Sequence, residues 1–515
     1  MATQWQTFPI EFRGGLISNL SPLQHGTNAV GSATILQNFE ANKEGGYSKI
    51  RGYEKYSTTT VPGSGPILAL KVVSSGRIVA SRKNASNFTQ YYYSTGSSWT
   101  SMATSVGTNG GKARSILYNL DGDDKVIFVD GTNYPAIYNT SGNSTTFMTS
   151  SNSTDVLGAE HVAVFKNTAF YSKGNNIYFT APFTVDDFSV ANGAGSINVA
   201  NDVTGLAVFR DQLIIFTSDT IKRLTGSSSA DFTVSPITDR IGCINGDTIQ
   251  EVGGDIMYLA PDGIRLLSAT DRIGDFALDV ASNQIQKDAT TFLSQTSSFC
   301  SVLFKEKAQY RIFAYVQSEQ DEAAKGLIAT KFISQGAAGI AWSTTKGIKA
   351  FVADSRYTGT AETIAFANED GYVYVMDTGS EFDGAAIEAI YESPFMPISD
   401  PQVRKTFYKM TLYAEPTGNM NLDLNLKYDF ASASNTKVVQ PATQQISSTG
   451  ASVFLFGASN AIFDTATFGG ELDRVYDTNV IGSGKTVALR LEDLSTNPTF
   501  TLDTALLEYS QEDRQ

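Results

Sequence analysis

Residues 482–486 read GSGKT, and a glycine turn followed by Lys and Thr is the arrangement that cradles nucleotide phosphates. Such a loop also needs a glycine five residues before Gly484, where this chain has Asn479, and a helix after it, where the chain continues VALRL. A turn feeding a strand is therefore expected. Histidine occurs only at His25 and His161, too few for a three-histidine metal site and poorly spaced for a nucleophile–histidine pair. Both read as polar surface residues. Cys243 and Cys300 are the only thiols, which excludes a disulfide framework and any Cys-rich metal site. Asp121, Asp123, Asp124 and Asp130 offer oxygen ligands of the kind calcium takes, but they lack EF-hand spacing and read as a solvated hairpin tip in preference to an ion site.

The stretch YSTGSSWTS from Tyr93 resembles the Ser-x-Asp-x-Gly-x-x-Trp turn of sialidase blades, but it lacks the aspartate, and no arginine cluster is present to clamp a carboxylate. Trp99 then reads as a packing residue between sheets, and Tyr91, Tyr92 and Tyr93 as one strand. No catalytic, cofactor or metal residue is assigned, and the chain is read as non-enzymatic.

The elements that would position any site are strands. The 515 residues are rich in Gly, Ser, Thr, Asn, Tyr and Phe and only 17% charged, which favours short strands and polar turns. A formal charge of −14 argues against a phosphate-holding surface and leaves two readings, solubility or an acidic lining. The start of the chain lacks the pattern of a secretory signal, and no stretch approaches the roughly 20 apolar residues of a membrane helix. A soluble protein of a cytosol-like compartment is expected, with the sequon-like triplets at Asn19, Asn84, Asn87, Asn139, Asn143 and Asn152 acting as turns.

A repeat runs through the middle. AVFKNTAFYSKGNNIYF, AVFRDQLIIFTSDTIKRL and EVGGDIMYLAPDGIRLL each read strand, tight turn, strand, turn, strand. The apolar residues before the tight turns are Val73, Leu120, Phe165, Phe209 and Val252, in steps of 47, 45, 44 and 43 residues; diverged units follow at Phe304 and Phe366. A period in the forties predicts the blades of a β-propeller, six to eight of them, because a lone four-stranded sheet cannot bury both faces. Two β-sandwiches are the alternative architecture. After residue 385 the texture changes to long alternating strands such as LDLNLKYDF and KTVALRLEDL, which predict a β-sandwich-like domain. The expected organisation is all-β: an N-terminal arm over 1–60 crossing the surface, a propeller over 61–385 and the sandwich-like domain over 386–515. Helices should be limited to short turns such as DEAAKG from Asp321.

The arm carries FRGGLISNLSP, GSATILQNFE and EGGYSKIRGYEKY. This pattern resembles the opening of the tail nozzle, or tail-stabilisation, proteins of short-tailed bacteriophages, and the likeness extends diffusely through VIFVDGTNYPAIYN and the closing KTVALRLEDLSTNPTFTLDTALLEYSQEDR. The resemblance implies a virion tail protein, assembled in the host cytoplasm into a ring that is expected to be a hexamer. Such a ring docks on the head-to-tail adaptor and contacts tail fibres or spikes, and DNA leaves through its lumen without specific binding. Gly14, Gly15, Asn38, Gly45, Gly46, Lys49, Arg51 and Gly52 match the family's arm, with an implied role in assembly. The Gly/Ser-rich loops at 192–196 and 226–231 are candidates for a lumen gate. A carbohydrate-binding or carbohydrate-cleaving propeller and a protein-binding scaffold propeller are the alternatives.

Overall fold

A computed structural model describes residues 5–73, 76–102, 108–119, 122–268, 280–334, 337–430, 440–448 and 474–511. Seven inner strands stand around an axis, each opening one antiparallel sheet: Ser64–Val72, Arg114–Asn119, His161–Phe165, Val203–Phe209, Gln250–Val252, Phe299–Phe304 and Val352–Thr358. We number these sheets blades 1 to 7. Blades 1 to 4 are complete four-stranded sheets of contiguous sequence, and blade 5 has three strands.

Each pair of neighbouring blades shares an apolar cluster, and the one between blades 5 and 6 is continuous with the core of the C-terminal sandwich. Tyr91 meets Phe128 between blades 1 and 2, Ile127 meets Tyr171 between 2 and 3, and Phe170 meets Ile215 between 3 and 4. Phe216 packs with Tyr258, Met257 with Tyr310, Phe313 with Phe366, and Val352 with Ile67, which closes the circle. A ring of this kind buries both faces of every sheet, as the repeat requires.

The tight turns explain the repeat's spelling. A two-residue hairpin matching the strand twist needs positive φ at both central positions, and Lys166, Asn167, Arg210 and Asp211 all have it, at 49°, 59°, 46° and 62°. Side chains in that region cost about 1 kcal/mol each. Here they stitch blades together: Lys166 pairs with Asp211 at 2.6 Å, Arg210 donates to the Gly254 carbonyl, and Lys331 donates to that of Gly253. The seventh unit differs from expectation. Phe366 lies in the second strand of blade 7, and the turn follows Thr358, where an exposed polar hairpin offers no apolar anchor to read. Leu120 lies outside the described residues.

The propeller's own axis is bridged at one end. Asp247, just before blade 5, accepts Lys112 at 2.9 Å and Arg114 at 2.7 Å from the edge of blade 2, three blades away and so across the ring. Lys112 also donates to the Phe299 carbonyl of blade 6, and Arg114 to the Glu160 carbonyl beside blade 3. Burial pushes the Asp247 carboxyl up, and the two cations more than offset it, leaving it well below the usual range.

The N-terminal segment does not cross the surface as expected. It forms β1 (Gln6–Glu11), β2 (Ile35–Gln37), β3 (Phe39–Ala41), β4 (Tyr47–Lys49) and β5 (Tyr53–Lys55), and Phe12, Leu36, Phe39 and Tyr47 are buried. The reason is that its apolar residues complete other sheets. β5 is the fourth strand of blade 7, pairing with Val373–Met376. β2 lies parallel to Ala337–Lys346 of blade 6 and antiparallel to Ala389–Glu392, so one nine-stranded sheet runs from the propeller into the C-terminal domain. That domain is a two-layer sandwich: the shared sheet continues through Val487–Asp493, Asn421–Tyr428 and Gln444–Ser447, and β1, β3 and β4 join Lys405–Pro416 and Phe500–Gln511 in the second layer. Leu424, Leu489 and Leu491 face Met410, Leu412 and Leu507 between the layers. Among the described residues helix occurs in short pieces, such as Pro22–Asn28, Gln286–Leu293 and 3-10 turns at Val190–Asn192, Gly246–Thr248, Asn283–Ile285 and Asp321–Ala323.

Candidate functional site

The residues that carry the arm pattern converge on the junction between propeller and sandwich. Gly15 has φ +70° and lies so close to blade 6 that a Cβ there would stand 2.7 Å from the Trp342 backbone nitrogen. Its N–H donates to Tyr47 Oη at 2.9 Å, and Leu16 N–H donates to the Trp342 carbonyl. Gly14, at φ +94°, abuts Ser32. Asn38 is fully buried at φ 54°, a conformation Asn tolerates. Its amide donates to the carbonyls of Lys346 and Glu388 and accepts from Lys346 N–H, which ties the last strand of blade 6 to the connection into the sandwich.

Lys49 and a residue missed from the sequence, Glu40, extend this weld in opposite directions from the β3–β4 hairpin. Lys49 Nζ is buried and donates to Asp493 Oδ2 at 3.0 Å and to the Ser495 and Asn497 carbonyls of the sandwich. Glu40 accepts from Lys307, Gln309 and Arg311 of blade 6 at 2.8, 3.0 and 2.6 Å. The available signal for Glu40 was a lone carboxylate inside the apolar run ILQNFEA. Gly52 passes so close to the Glu381 carbonyl that no side chain fits, whereas Arg51 is exposed and takes no part.

Gly45 and Gly46, at φ +108° and +81°, form the rim of a cleft of about 760 Å³ at this junction. Glu11, Glu40, Glu44, Glu306, Glu415 and Asp503 line it together with Arg13, Lys43 and Lys307. Most carboxylates there are engaged, Glu11 with Arg13 and Glu415 with Arg474. Burial, and then the neighbouring Glu415, push the Asp503 carboxyl up. The cleft can hold a polar group or a short segment.

Other sequence candidates separate in space. Asp124 and Asp130 stand at opposite ends of the strand Asp124–Val129; Asp130 is buried, accepting from Thr132 and Asn133, and Asp121 lies outside the described residues. Among the described residues no group of three His, Cys, Asp or Glu could hold a metal ion. His25 and His161 are buried, contrary to expectation: His25 bonds Ser32 Oγ at 2.7 Å, and burial and then Arg114 push His161 down to about 3. Burial raises the Cys243 thiol to about 12 and the Cys300 thiol to about 11, so both are inert. Residues 482–486 hold a two-residue strand, Ser483–Gly484, paired with Lys405 and Thr406, and then lead into the strand Val487–Asp493, where a phosphate loop would have a helix; Trp99 packs at the seam of blades 1 and 7. Asn84, Asn139 and Asn152 accept backbone N–H groups within turns. Among the described residues no helix is long and apolar enough to cross a membrane.

No family model matches this chain, and no curated protein matches it. Among solved structures it is similar to the extracellular domain of a B. thetaiotaomicron one component system at 10% identity and TM-score 0.40, covering 70% of this chain and 43% of that one. The WD40 domain of Neurospora crassa Pan2 follows at 9% identity and 0.38, covering 64% and 96%. An exo-beta-1,3-galactanase from Phanerochaete chrysosporium gives 9% and 0.25, covering 89% and 100%. Scores this low carry no argument, so the propeller rests on the strand pairing of the chain itself.

Proposed function

We propose that this chain is a structural subunit of a short-tailed phage particle, forming the nozzle ring at the distal end of the tail, a conduit for DNA and a docking site for adaptor and fibres. The observation that carries the reading is the junction: seven of the eight residues bearing the family pattern sit at the weld or on its rim, four of them glycines with positive φ, so the likeness follows a demanding local structure. A ring subunit needs such a weld, because relative motion of propeller and sandwich would spoil closed symmetry. The Lys112–Asp247 bridge spans the propeller's axis, so the lumen of this reading lies between subunits and not within one. An excess of carboxylates facing it would repel phosphates.

The test is the mass of the purified chain by light scattering, alone and with the portal–adaptor complex. Rings of about six subunits on the adaptor support the reading. A persistent monomer that ignores the adaptor overturns it. The junction cleft, with Asp503 beside Glu415, favours a second reading, a carbohydrate site. A monomer that binds a glycan array and loses binding in Asp503→Asn would establish that reading instead.

A further inference from the structure

The chain holds a single Asp–Pro pair, Asp400–Pro401, in the connection between the two layers of the sandwich. Such a bond is chemically labile. The aspartate carboxylate can reach its own carbonyl carbon, and the proline nitrogen leaves as a basic secondary amine. In an ordinary loop the route stays slow, because nothing fixed in place stabilises charge on the carbonyl oxygen.

Here the Asp400 carbonyl oxygen accepts from two donors, Val403 N–H at 3.3 Å and the Lys405 ammonium. Lys405 is fully buried, and its Nζ also donates to the Pro397 carbonyl at 2.6 Å and to that of Lys485 at 3.3 Å. Its charge is thus directed at main-chain oxygens, away from solvent, where a developing oxyanion gains most from it. The Asp400 carboxylate accepts from Gln402 N–H at 2.8 Å, and the ring closed by that bond contains the Asp400–Pro401 peptide. Pro401 and Gln402 are exposed, so water reaches the leaving nitrogen.

The backbone just before the bond is strained. Ile398 and Ser399 have φ of 33° and 64°, and Ile398 is buried in the core that joins propeller to sandwich. A β-branched residue in the left-handed region persists only where its surroundings hold it, and such residues collect at reactive sites.

We propose that the folded chain cleaves itself between Asp400 and Pro401. An oxygen of the Asp400 carboxylate attacks the Asp400 carbonyl carbon, and the carbonyl oxygen takes up negative charge between Lys405 Nζ and Val403 N–H. The C–N bond then breaks, its electron pair stays on the Pro401 nitrogen, and that nitrogen takes a proton from water. Water opens the cyclic anhydride left on Asp400, which restores the side-chain carboxylate and creates a main-chain one. One water is consumed in all, and nothing is oxidised or reduced. The two pieces stay together, since Gln6–Glu11 pairs with Phe500–Gln511, Ala389–Glu392 with Val487–Asp493, and Lys49 with Asp493. The product is a nicked subunit of unchanged native mass, in which the Ile398–Ser399 corner can relax. The inference stands apart from the ring reading.

The test follows purified full-length chain at neutral pH, with protease inhibitors present, by denaturing electrophoresis and intact mass. Two pieces are expected, one ending at Asp400 and one beginning at Pro401, with a summed mass one water above that of the whole chain. The folded chain should cleave about 100-fold faster than the same chain unfolded in urea. Asp400→Glu, which lengthens the reach to the carbonyl, and Pro401→Ala, which worsens the leaving group, should each slow cleavage at least about 10-fold while melting as wild type does. A chain that stays whole, a cut at another bond, or a rate that urea or both substitutions leave unchanged overturns the proposal.

Discussion

Blades 1 to 4 and the arm junction are built from the same strands and turns by opposite means. A blade such as His161–Asn198 assembles from one contiguous stretch, with every pairing made to a sequence neighbour. The junction pairs Lys49 with Asp493, Asn38 with Lys346 and Glu388, and β1 with Phe500–Gln511, residues separated by hundreds of positions. Local pairing tolerates variation, because each blade needs only alternation and a turn. Long-range pairing concentrates its demands on few residues, buried polar groups whose partners have no substitute.

That contrast predicts a ranking of effects. Lys49→Met should be the most damaging, since it leaves Asp493 buried without its cation; a loss of about 3–5 kcal/mol is expected in denaturant unfolding. Lys49→Met with Asp493→Leu should recover much of it, and an equal loss in both variants would show that shape, not charge, holds the junction. Gly15→Ala should cost about 2–4 kcal/mol, from a positive φ and a collision with the Trp342 backbone. A crystal structure of that variant with an unshifted Trp342 would contradict the estimate.

In the propeller the expected effects are smaller. His161 is held neutral by burial and then Arg114, so its folded pKa lies below the unfolded value of about 6.5. The unfolded chain then binds more protons as pH falls below about 6.5, and stability drops until the pH reaches about 3. By pH 5 this amounts to about 2 kcal/mol, and His161→Gln should flatten the slope of melting temperature between pH 7.5 and 5. Arg210→Gly relieves a left-handed Arg but removes its tie to Gly254, so a net change within about 0.5 kcal/mol is expected by thermal melting. A loss of several kcal/mol would mean that the hairpin stitches, and not the apolar clusters, hold the ring.

The blades were legible because their information is local: a period in the forties, alternation, and Phe-Lys-Asn or Phe-Arg-Asp before a return strand. The seventh unit was misplaced at Phe366, since a polar hairpin after Thr358 leaves no apolar mark. For the junction, the sequence could single out Gly14, Gly15, Asn38, Gly45, Gly46, Lys49 and Gly52 through the family likeness, but not the burial of the segment or the part played by Glu40. Both histidines were misread as surface residues, because no local pattern records what the neighbouring sheet contributes.

Composition and spacing alone therefore settled the all-β class, the repeating blade and the change of texture near residue 385, since alternation and turn chemistry act between residues a few positions apart. Tertiary structure decided that β5 closes blade 7, that β2 joins propeller to sandwich in one sheet, and that Lys112 and Asp247 meet across the axis. Those outcomes depend on which distant strand edge or buried charge still lacks a partner once the local sheets have formed.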